Sequence, residues 1–248
     1  MKATLFMATY NKNNELPNTL YSIARQKISF PLEVCIVDDN SDIDPEPIIR
    51  KFIPSAKYLR LDKQVSPDVI HSYALDLASK DSDILIRQSS DVIHGSTNTI
   101  ERLCKGVAKK KICMATVANT DPPLNMHKKF DKVLPTILKQ HRKGKRRSKA
   151  GGTTQTSFYF FLGAIRRTEY ESLDCTKGPH CDVMLAEELM LKKYIANYPK
   201  KLFGFHQPHP KSLIPCSRID TCDLFCYTKK RCLEKGWHTL DDYLKEKI

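Results

Sequence analysis

The sequence predicts an α/β fold, a mostly parallel, doubly wound sheet with flanking helices. Short apolar runs alternate with segments of helical periodicity over the first hundred residues, and this alternation is typical of βαβ units. The chain has 248 residues, 41% of them hydrophobic. It is therefore long enough to bury one substantial core and short for two full domains.

The first strand and helix follow from the residues nearest the N-terminus. The short apolar run from Ala3 to Ala8 predicts the strand, and polar residues follow it. Asn13 or Asn14 can cap the next helix, and Pro17 is tolerated in its first turn. The helix is indicated by apolar residues at helical spacing, namely Leu16, Leu20, Ile23 and Ala24.

The next elements repeat this scheme. The run from Leu32 to Val37 is apolar without alternation, as expected of a strand that is buried on both faces. Downstream, the pattern predicts a helix at 48–52, a strand at 57–61, a helix at 69–77 and a strand at 84–86.

Beyond residue 91 the pattern predicts a helix at 100–107, a strand at 112–116, an aromatic-rich strand at 157–163 and a helix at 184–198. The strand at 157–163 leads to Arg166 and Arg167, and Asp182 precedes the helix at 184–198. Between these elements, a basic run through Gly151 and Gly152 is interpreted as a flexible loop at about 139–152.

Polar side chains follow three of the predicted strands. Thr9 follows the first strand, Asp38 and Asp39 follow the second, and Asp91 follows the strand at 84–86. Ligands of open α/β sheets bind outside the carboxyl ends of the strands, so we expect these side chains to converge at one edge.

Three segments in this order resemble the opening of family 2 glycosyltransferases. They are Thr9-Tyr10-Asn11-Lys12, the helix that ends in Ser22-Ile23-Ala24-Arg25-Gln26, and Val37-Asp38-Asp39-Asn40-Ser41. The resemblance continues more weakly to Asp91, to the strand and arginines at 158–167 and to Glu187, over roughly the first 200 residues. It implies a GT-A fold and an inverting enzyme that uses a nucleotide-sugar donor.

The resemblance also implies domain boundaries and a nucleotide site. Residues 1–205 would form the GT-A domain, with a nucleotide-binding half at 1–95 and an acceptor half at 96–205, and 206–248 would be a C-terminal extension packed on it. Asp39 would accept a hydrogen bond from uracil or a comparable base edge. The residues expected at the nucleotide are Thr9, Tyr10, Asn11, Asp38, Asp39, Ser90 and Arg166. Two alternatives stay open: Asp38 as the cap of a turn, and Arg166 as a solvated side chain.

A departing nucleoside diphosphate needs its negative charge neutralised, and Mn²⁺ or Mg²⁺ held by carboxylates and phosphate oxygens does this. Asp91 fits this role. The family usually has an Asp-x-Asp triplet here, whereas this chain has Ser89-Ser90-Asp91, so we expect a modest metal affinity. His206 is a second candidate ligand, although a loop histidine is more often only an exposed polar residue.

Inversion requires a base that removes the proton of the acceptor hydroxyl. By the resemblance this base lies just ahead of a helix. Glu187 is preferred because Lys193, six positions on, then falls where the family often has a basic residue, and Glu188 is a close second. The alternative is that both are acidic residues of a helical first turn, where the helix dipole favours them.

The formal net charge of +13 is unevenly placed. The eleven residues from Lys139 to Lys149 hold seven basic side chains and no acidic one. A block of this kind is most often disordered and solvated, but it could instead cover the donor diphosphate or contact a nucleic acid or an anionic membrane surface.

Cysteine content and hydropathy bear on the compartment. Six of the nine cysteines lie in the last third, without the close Cys-x-x-Cys pairs of common zinc sites. Free thiols, disulfides and an unusual zinc site stay open for them. Neither a transmembrane run nor a signal sequence is evident, so we expect a cytoplasmic protein or one peripheral to a membrane.

The resemblance implies, as the leading expectation, transfer of a sugar from a UDP-sugar to the hydroxyl of a glycan, a lipid-linked or a protein acceptor. A sugar-nucleotide pyrophosphorylase is disfavoured because no glycine-rich loop follows the first strand. Two further alternatives stay open: a nucleotide-sugar-binding protein with impaired catalysis, suggested by Ser89, and a basic nucleic-acid-binding protein.

Overall fold

The computed structural model describes residues 1–65, 67–109, 112–119, 125–147, 162–173, 189, 196–197 and 202–207. The strands are β1 (Ala3–Thr9), β2 (Leu32–Asp38), β3 (Lys57–Arg60), β4 (Ile84–Gln88), β5 (Val92–His94), β6 (Ile112–Met114), β7 (Thr116–Asn119), β8 (Leu162–Arg166), β9 (Ala196–Asn197) and β10 (Phe203–His206). The helices are α1 (Leu16–Ala24), α2 (Glu46–Phe52), α3 (Pro67–Asp76), α4 (Thr99–Lys109), α5 (Phe130–Arg147) and α6 (Arg167–Glu171), with a 3₁₀ turn at Met126–Lys129.

Seven strands form the main sheet in the order β3-β2-β1-β4-β8-β6-β9. The pairs among the first four strands are parallel, β8 is antiparallel to both β4 and β6, and β9 is parallel to β6. The α/β fold with a mostly parallel sheet is therefore confirmed. A smaller sheet has the strand order β5-β10-β7. Its strand β5 is the one that follows β4 along the chain.

Side chains from the main sheet enter two apolar clusters. Along β1, Leu5 and Met7 join one cluster, whereas Phe6 joins the other, because successive residues of a strand point to opposite faces. Helices α1, α2 and α4 contribute to the first cluster, and α3 and α6 contribute to the second. Helices thus cover both faces, as in a doubly wound fold.

The predicted elements of the first hundred residues agree with the structure to within a few residues. Strands β1 to β4 and helices α1 to α4 lie where the apolar pattern places them. The predicted cap of α1 by Asn13 or Asn14 is wrong, since the N-cap is Glu15 and makes no side-chain hydrogen bond. A turn replaces the cap: the amides of Glu15 and Leu16 donate to the Lys12 carbonyl at 3.0 and 2.8 Å.

Later elements differ more from the prediction. The strand expected at 112–116 is divided, with β6 in the main sheet and β7 in the smaller one. The helix expected at 184–198 is wrong at its end, where Ala196 and Asn197 pair with β6. Leu189 is helical, but the rest of that segment lies outside the described residues, as do 157–161 of the predicted aromatic strand.

The flexible loop predicted at 139–152 is corrected to a helix for residues 139–147, which belong to α5. Apolar residues at helical spacing start this helix: Phe130 and Ile137 are buried, and Val133 and Leu134 pack on the same cluster. Lysine and arginine have good helix propensity and are favoured near a helix C-terminus, so the basic run continues the helix. Residues 148–152 lie outside the described part of the chain.

Within the described residues no helix is both long and apolar enough to cross a membrane. Three cysteines that the structure describes, Cys35, Cys104 and Cys113, are buried free thiols, and burial raises the pKa of each to about 12. The six cysteines of the last third, and the proposed C-terminal extension beyond Gln207, lie outside the described residues.

Candidate functional site

Strands β1 and β2 deliver polar residues to one edge of the main sheet. Thr9 and Asp38 are in register in the parallel pair, and the Asp39 amide donates to the Thr9 carbonyl at 2.9 Å. Thr9 is 3% exposed. Among the residues that the structure describes, its hydroxyl Oγ1 has no hydrogen-bond partner, so a buried polar atom is available here to a ligand.

Asn11 ties the loop after β1 to the loop after β2. Its amide donates to Ser41 Oγ at 2.9 Å, its Nδ2 donates to Asp42 Oδ2 at 3.1 Å, and its Oδ1 accepts the Asp42 amide at 2.9 Å. Its φ of 50° is left-handed, a conformation that asparagine tolerates better than most residues. The Asn11 side chain therefore fixes the loop that the sequence predicted at the nucleotide.

Asp38 is fully buried and caps the turn after β2. One carboxylate oxygen accepts the Ser41 hydroxyl and the other accepts the Ser41 amide at 3.0 Å. Arg60 Nε lies 3.7 Å from Asp38 Oδ2. Burial raises the pKa of Asp38, and the hydrogen bonds from Ser41 oppose that rise. The structure thus supports the turn-capping alternative for Asp38 rather than nucleotide contact.

Asp39 lies at the same edge, and within the described residues its carboxylate has one hydrogen-bond partner. It is 2% exposed, and its Oδ1 accepts the Val65 amide at 2.7 Å. The pKa of this carboxyl is raised to about 7, mainly by burial and in smaller part by the charge of Asp38, against the hydrogen bond from the Val65 amide. The pKa of Tyr10 is also raised, mainly by burial and then by the charges of Asp42, Asp39 and Asp38, so Tyr10 lies within their field.

Asp91 follows β4 in a turn closed by the Val92 amide, which donates to the Ser89 carbonyl at 3.1 Å. Ser90, in the same turn, is 7% exposed. Asp91 Oδ2 lies 3.1 Å from the Nζ of Lys12, and the two side chains are only 6% and 13% exposed. Sequence reasoning missed this ion pair, although Lys12 is part of the motif that carried the resemblance.

Gln207 joins this turn to the start of α1. Its amide donates to the Asp91 carbonyl at 2.9 Å, and its Nε2 donates to the Glu15 carbonyl at 3.0 Å and to Thr19 Oγ1 at 3.1 Å. Asn18 Nδ2 donates to Gln207 Oε1 at 2.9 Å. No local pattern could have revealed this role, because its partners lie up to 192 positions away.

The donor set at Asp91 suits a divalent cation only in part. The described residues contain no group of three or more histidine, cysteine or acidic side chains that could hold a metal. His206 pairs through its backbone with Val92, the residue after Asp91. A hard cation can bind through one carboxylate with phosphate oxygens and waters as its other ligands, so the residues fit a metal that arrives with a diphosphate.

The prediction of a nucleotide contact at Arg166 is wrong. Because β8 is antiparallel to β4, Arg166 pairs with Ile84 at the start of β4, whereas Leu162 pairs with Gln88 near Asp91. Arg166 therefore lies at the opposite edge of the sheet. Glu187 and Glu188, the candidate bases, lie outside the described residues.

The structure brings Thr9, Asp39 and Asp91 to one edge, as the sequence predicted. The loop after β1 spans that edge: Asn11 contacts the β2 side and Lys12 contacts Asp91. A buried hydroxyl, a buried carboxyl and a partly neutralised carboxylate thus lie beside the same short loop. Such a site can bind a ligand that carries hydrogen-bond donors, and it can accept negative charge on that ligand where a cation at Asp91 balances it.

Solved structures of S. aureus TarS and of a mannosyltransferase are similar to this one. S. aureus TarS residues 1–349 matches with a TM-score of 0.56 at 15% identity, over 84% of this chain and 60% of that one. The same TarS fragment with UDP-GlcNAc matches with a TM-score of 0.57 at 14% identity, over 95% of this chain and 71% of that one. At these identities the likeness shows the fold alone.

A mannosyltransferase from Pyrobaculum calidifontis, PcManGT, solved with GDP-Man and Mn²⁺, matches with a TM-score of 0.56 at 17% identity, over 85% of this chain and 58% of that one. This chain thus spans about 60% of the first TarS structure. Comparison with curated proteins gives no match.

The family model for Glycosyl transferase family 2 matches residues 4–172, more than half of the chain. This protein therefore belongs to glycosyl transferase family 2.

Proposed function

We propose that this protein transfers a sugar from a UDP-sugar to an acceptor hydroxyl, with inversion at the anomeric carbon. The observation that carries the proposal is the position of Thr9, Asp39 and Asp91 at one sheet edge in a chain of this family. TarS has been solved with UDP and with UDP-GlcNAc, and PcManGT with GDP-Man, so related folds accommodate such donors.

Asp39 and Thr9 would bind the nucleoside. The Asp39 carboxyl is held by the Val65 amide, so it is positioned to accept a ring N–H from uracil. Thr9 Oγ1 has no described partner and would gain a hydrogen bond on binding. Since a buried polar group without a partner is unfavourable, the ligand would relieve a cost that the free protein carries.

Asp91 would hold Mn²⁺ or Mg²⁺ together with the donor diphosphate, and His206 is the second candidate ligand. A bound divalent cation would neutralise the charge that develops on the leaving diphosphate. The carbonyl of Asp91 is fixed by the Gln207 amide. This hydrogen bond keeps Asp91, the single carboxylate of the turn after β4, at a constant place relative to the loop after β1.

In the proposed reaction the acceptor oxygen forms a bond to the anomeric carbon while the bond from that carbon to the diphosphate breaks. Glu187, or Glu188 as the close second, would take the hydroxyl proton. The nucleoside diphosphate leaves from the opposite face, which inverts the configuration. The acceptor would be a glycan, a lipid-linked or a protein hydroxyl.

A second candidate is a protein that binds nucleotide sugars without turning them over. Ser89 stands where the family usually has the first aspartate, and Lys12 already pairs with the remaining carboxylate. Both observations favour weak metal binding. Hydrolysis of UDP-sugars, measured with and without Mn²⁺, separates the two: nucleotide binding with no turnover of any donor supports the second candidate.

A thermal-shift screen of UDP, GDP and their sugars, each with Mn²⁺, tests the proposal. A ligand that binds only the folded state stabilises it by about 2.7 kcal/mol at a hundred times its Kd. We expect UDP-sugars to raise the melting temperature.

The Asp39→Asn variant should bind UDP roughly tenfold more weakly or worse, because one buried hydrogen bond to the base is altered.

Asp81→Asn is the matched control. The side chain of Asp81 is 72% exposed and pairs with that of Lys2, the residue before β1. The amide of nearby Asp83 donates to the Lys2 carbonyl. It therefore lies at the opposite edge of the sheet, and its substitution should leave the shift unchanged. Equal shifts in the wild type and Asp39→Asn would contradict the nucleotide site, and no shift with any nucleotide would overturn the proposed function.

A further inference from the structure

We infer that Lys12 is an internal counter-ion of Asp91 that a divalent cation must displace, so that metal and nucleotide diphosphate bind cooperatively. The inference rests on the proposed function for the identity of the nucleotide. The ion pair itself is observed: Lys12 Nζ lies 3.1 Å from Asp91 Oδ2. Lys12 thereby controls how tightly a cation binds at Asp91, in addition to being part of the motif Thr9-Tyr10-Asn11-Lys12.

The pair is formed between two anchored segments. The Lys12 carbonyl accepts the amides of Glu15 and Leu16, which fixes its backbone at the start of α1. The Asp91 carbonyl accepts the Gln207 amide at 2.9 Å. Because both backbones are held, the lysine side chain with its four-carbon stem is the part that can move when a ligand arrives.

The low exposure of the pair makes its charges matter. The side chains of Lys12 and Asp91 are 13% and 6% exposed, so water screens their attraction less than it does at the surface. Ser89 and Ser90 precede Asp91, and they add no second carboxylate to this turn. The Lys12 ammonium therefore pairs with the carboxylate that a cation would use.

A cation and the Lys12 ammonium cannot share Asp91 without strong repulsion. A cation that binds alone must separate an ion pair and leave the ammonium largely buried without its partner, which is unfavourable. A diphosphate changes this balance, because its oxygens can accept the displaced ammonium and also ligate the cation. Each ligand then strengthens the binding of the other.

Titration of Mn²⁺ into the nucleotide-free protein, followed by electron paramagnetic resonance of the free ion, tests the competition directly. We expect Lys12→Met to bind Mn²⁺ at least about tenfold more tightly than the wild type, because a buried charge partner has been removed. Lys12→Arg keeps the charge and should bind like the wild type. The gain should be lost in the double variant Lys12→Met with Asp91→Asn.

Lys105→Met is the matched control. It also removes one ammonium from an ion pair, since Lys105 Nζ lies 2.6 Å from Glu101 Oε1, but this lysine side chain is 67% exposed and lies on α4. We expect no change in Mn²⁺ affinity. If Lys12→Met fails to fold, which a thermal melt will show, Lys12→Gln replaces it in the same comparison.

The result that overturns the inference is equal Mn²⁺ affinity in the wild type and the folded neutral variant. A second titration in the presence of saturating UDP measures the cooperativity: the wild type should bind Mn²⁺ at least about tenfold more tightly than without UDP, and Lys12→Met should show a smaller gain. If neither UDP nor GDP binds, the proposed function fails, whereas the nucleotide-free comparison still decides whether Lys12 competes with the cation.

Discussion

Asp38 and Asp39 are adjacent carboxylates at the end of β2, but their surroundings differ. Asp38 is surrounded by donors from its own turn, since Ser41 donates from both its hydroxyl and its amide. Asp39 receives a described hydrogen bond from the Val65 amide and is 2% exposed. The pair shows how one position along a strand separates a structural carboxylate from one that is suited to a ligand.

Asp39 should make stability depend on pH. Its pKa is raised from 3.8 to about 7 by burial, so between about pH 4 and pH 7 the folded state holds a proton that the unfolded state has lost. The free energy of unfolding should therefore fall as the pH rises through this window, with a slope of up to about 1.4 kcal/mol per pH unit from this group.

Urea denaturation at a series of pH values measures that slope. Asp39→Asn should remove the contribution of Asp39, so the difference between variant and wild type isolates it from other carboxyls. Glu33, for example, has a pKa lowered to about 2 by its hydrogen bonds from Lys57, Ser79 and Thr4, against its burial, and it acts in the opposite direction. Identical slopes in the two proteins would disprove the assignment.

At the scale of elements, Gln207 couples the end of β10 to the N-terminal part of α1 and to the turn after β4. Its side chain donates to the Glu15 carbonyl and to Thr19, and accepts from Asn18. Its backbone amide holds the Asp91 carbonyl. We therefore regard Gln207 as a positioning residue for the loop that carries Lys12 and for the Asp91 turn.

Gln207→Ala should lower both stability and nucleotide affinity. Its loss leaves buried polar groups unsatisfied, each at a cost of about 1–3 kcal/mol, and loosens two segments of the site. Gln26→Ala is the matched control, because Gln26 donates to the Ser22 and Ser96 carbonyls at the other end of α1. Denaturation should show destabilisation in both variants, and calorimetric UDP titration should show weaker binding only for Gln207→Ala. Equal UDP affinities would contradict the positioning role.

Sequence patterns predicted some elements much better than others. Strands β1 to β4 are buried runs bounded by polar turns, so their local sequence is sufficient. Strands β5 and β9 are only three and two residues long, too short to carry a period, and they exist because a partner strand lies beside them. Charge alone favours a solvated loop for the basic part of α5, whereas the apolar start of the helix and the helix propensity of lysine and arginine favour a helix. An anionic partner for that run stays a prediction.

At the scale of the whole molecule, one sheet separates two apolar clusters. Leu5 lies in one cluster and Leu85 in the other, and both are fully buried. Each parallel strand contributes to both clusters through alternate side chains. Loss of packing on one face therefore weakens the strands that form the other face.

Leu5→Ala and Leu85→Ala should each lower the free energy of unfolding by about 2–5 kcal/mol. Both should keep a single transition, because the clusters share their strands. Far- and near-ultraviolet circular dichroism during urea denaturation provide the check. Ile43→Ala, at a residue that is 70% exposed, should change stability by less than about 0.5 kcal/mol. Two separate transitions in either leucine variant would show that the faces unfold independently.

The sequence by itself determined the alternation of strands and helices, the polar ends of β1, β2 and β4, and the family motif. These features depend on local burial and backbone propensity, which residue order encodes directly. Only the tertiary structure decided that Asp38 caps a turn, that Arg166 lies at the far edge and that Lys12 neutralises Asp91. Strand direction and ion-pair partners depend on contacts between segments distant along the chain, and no local pattern specifies them.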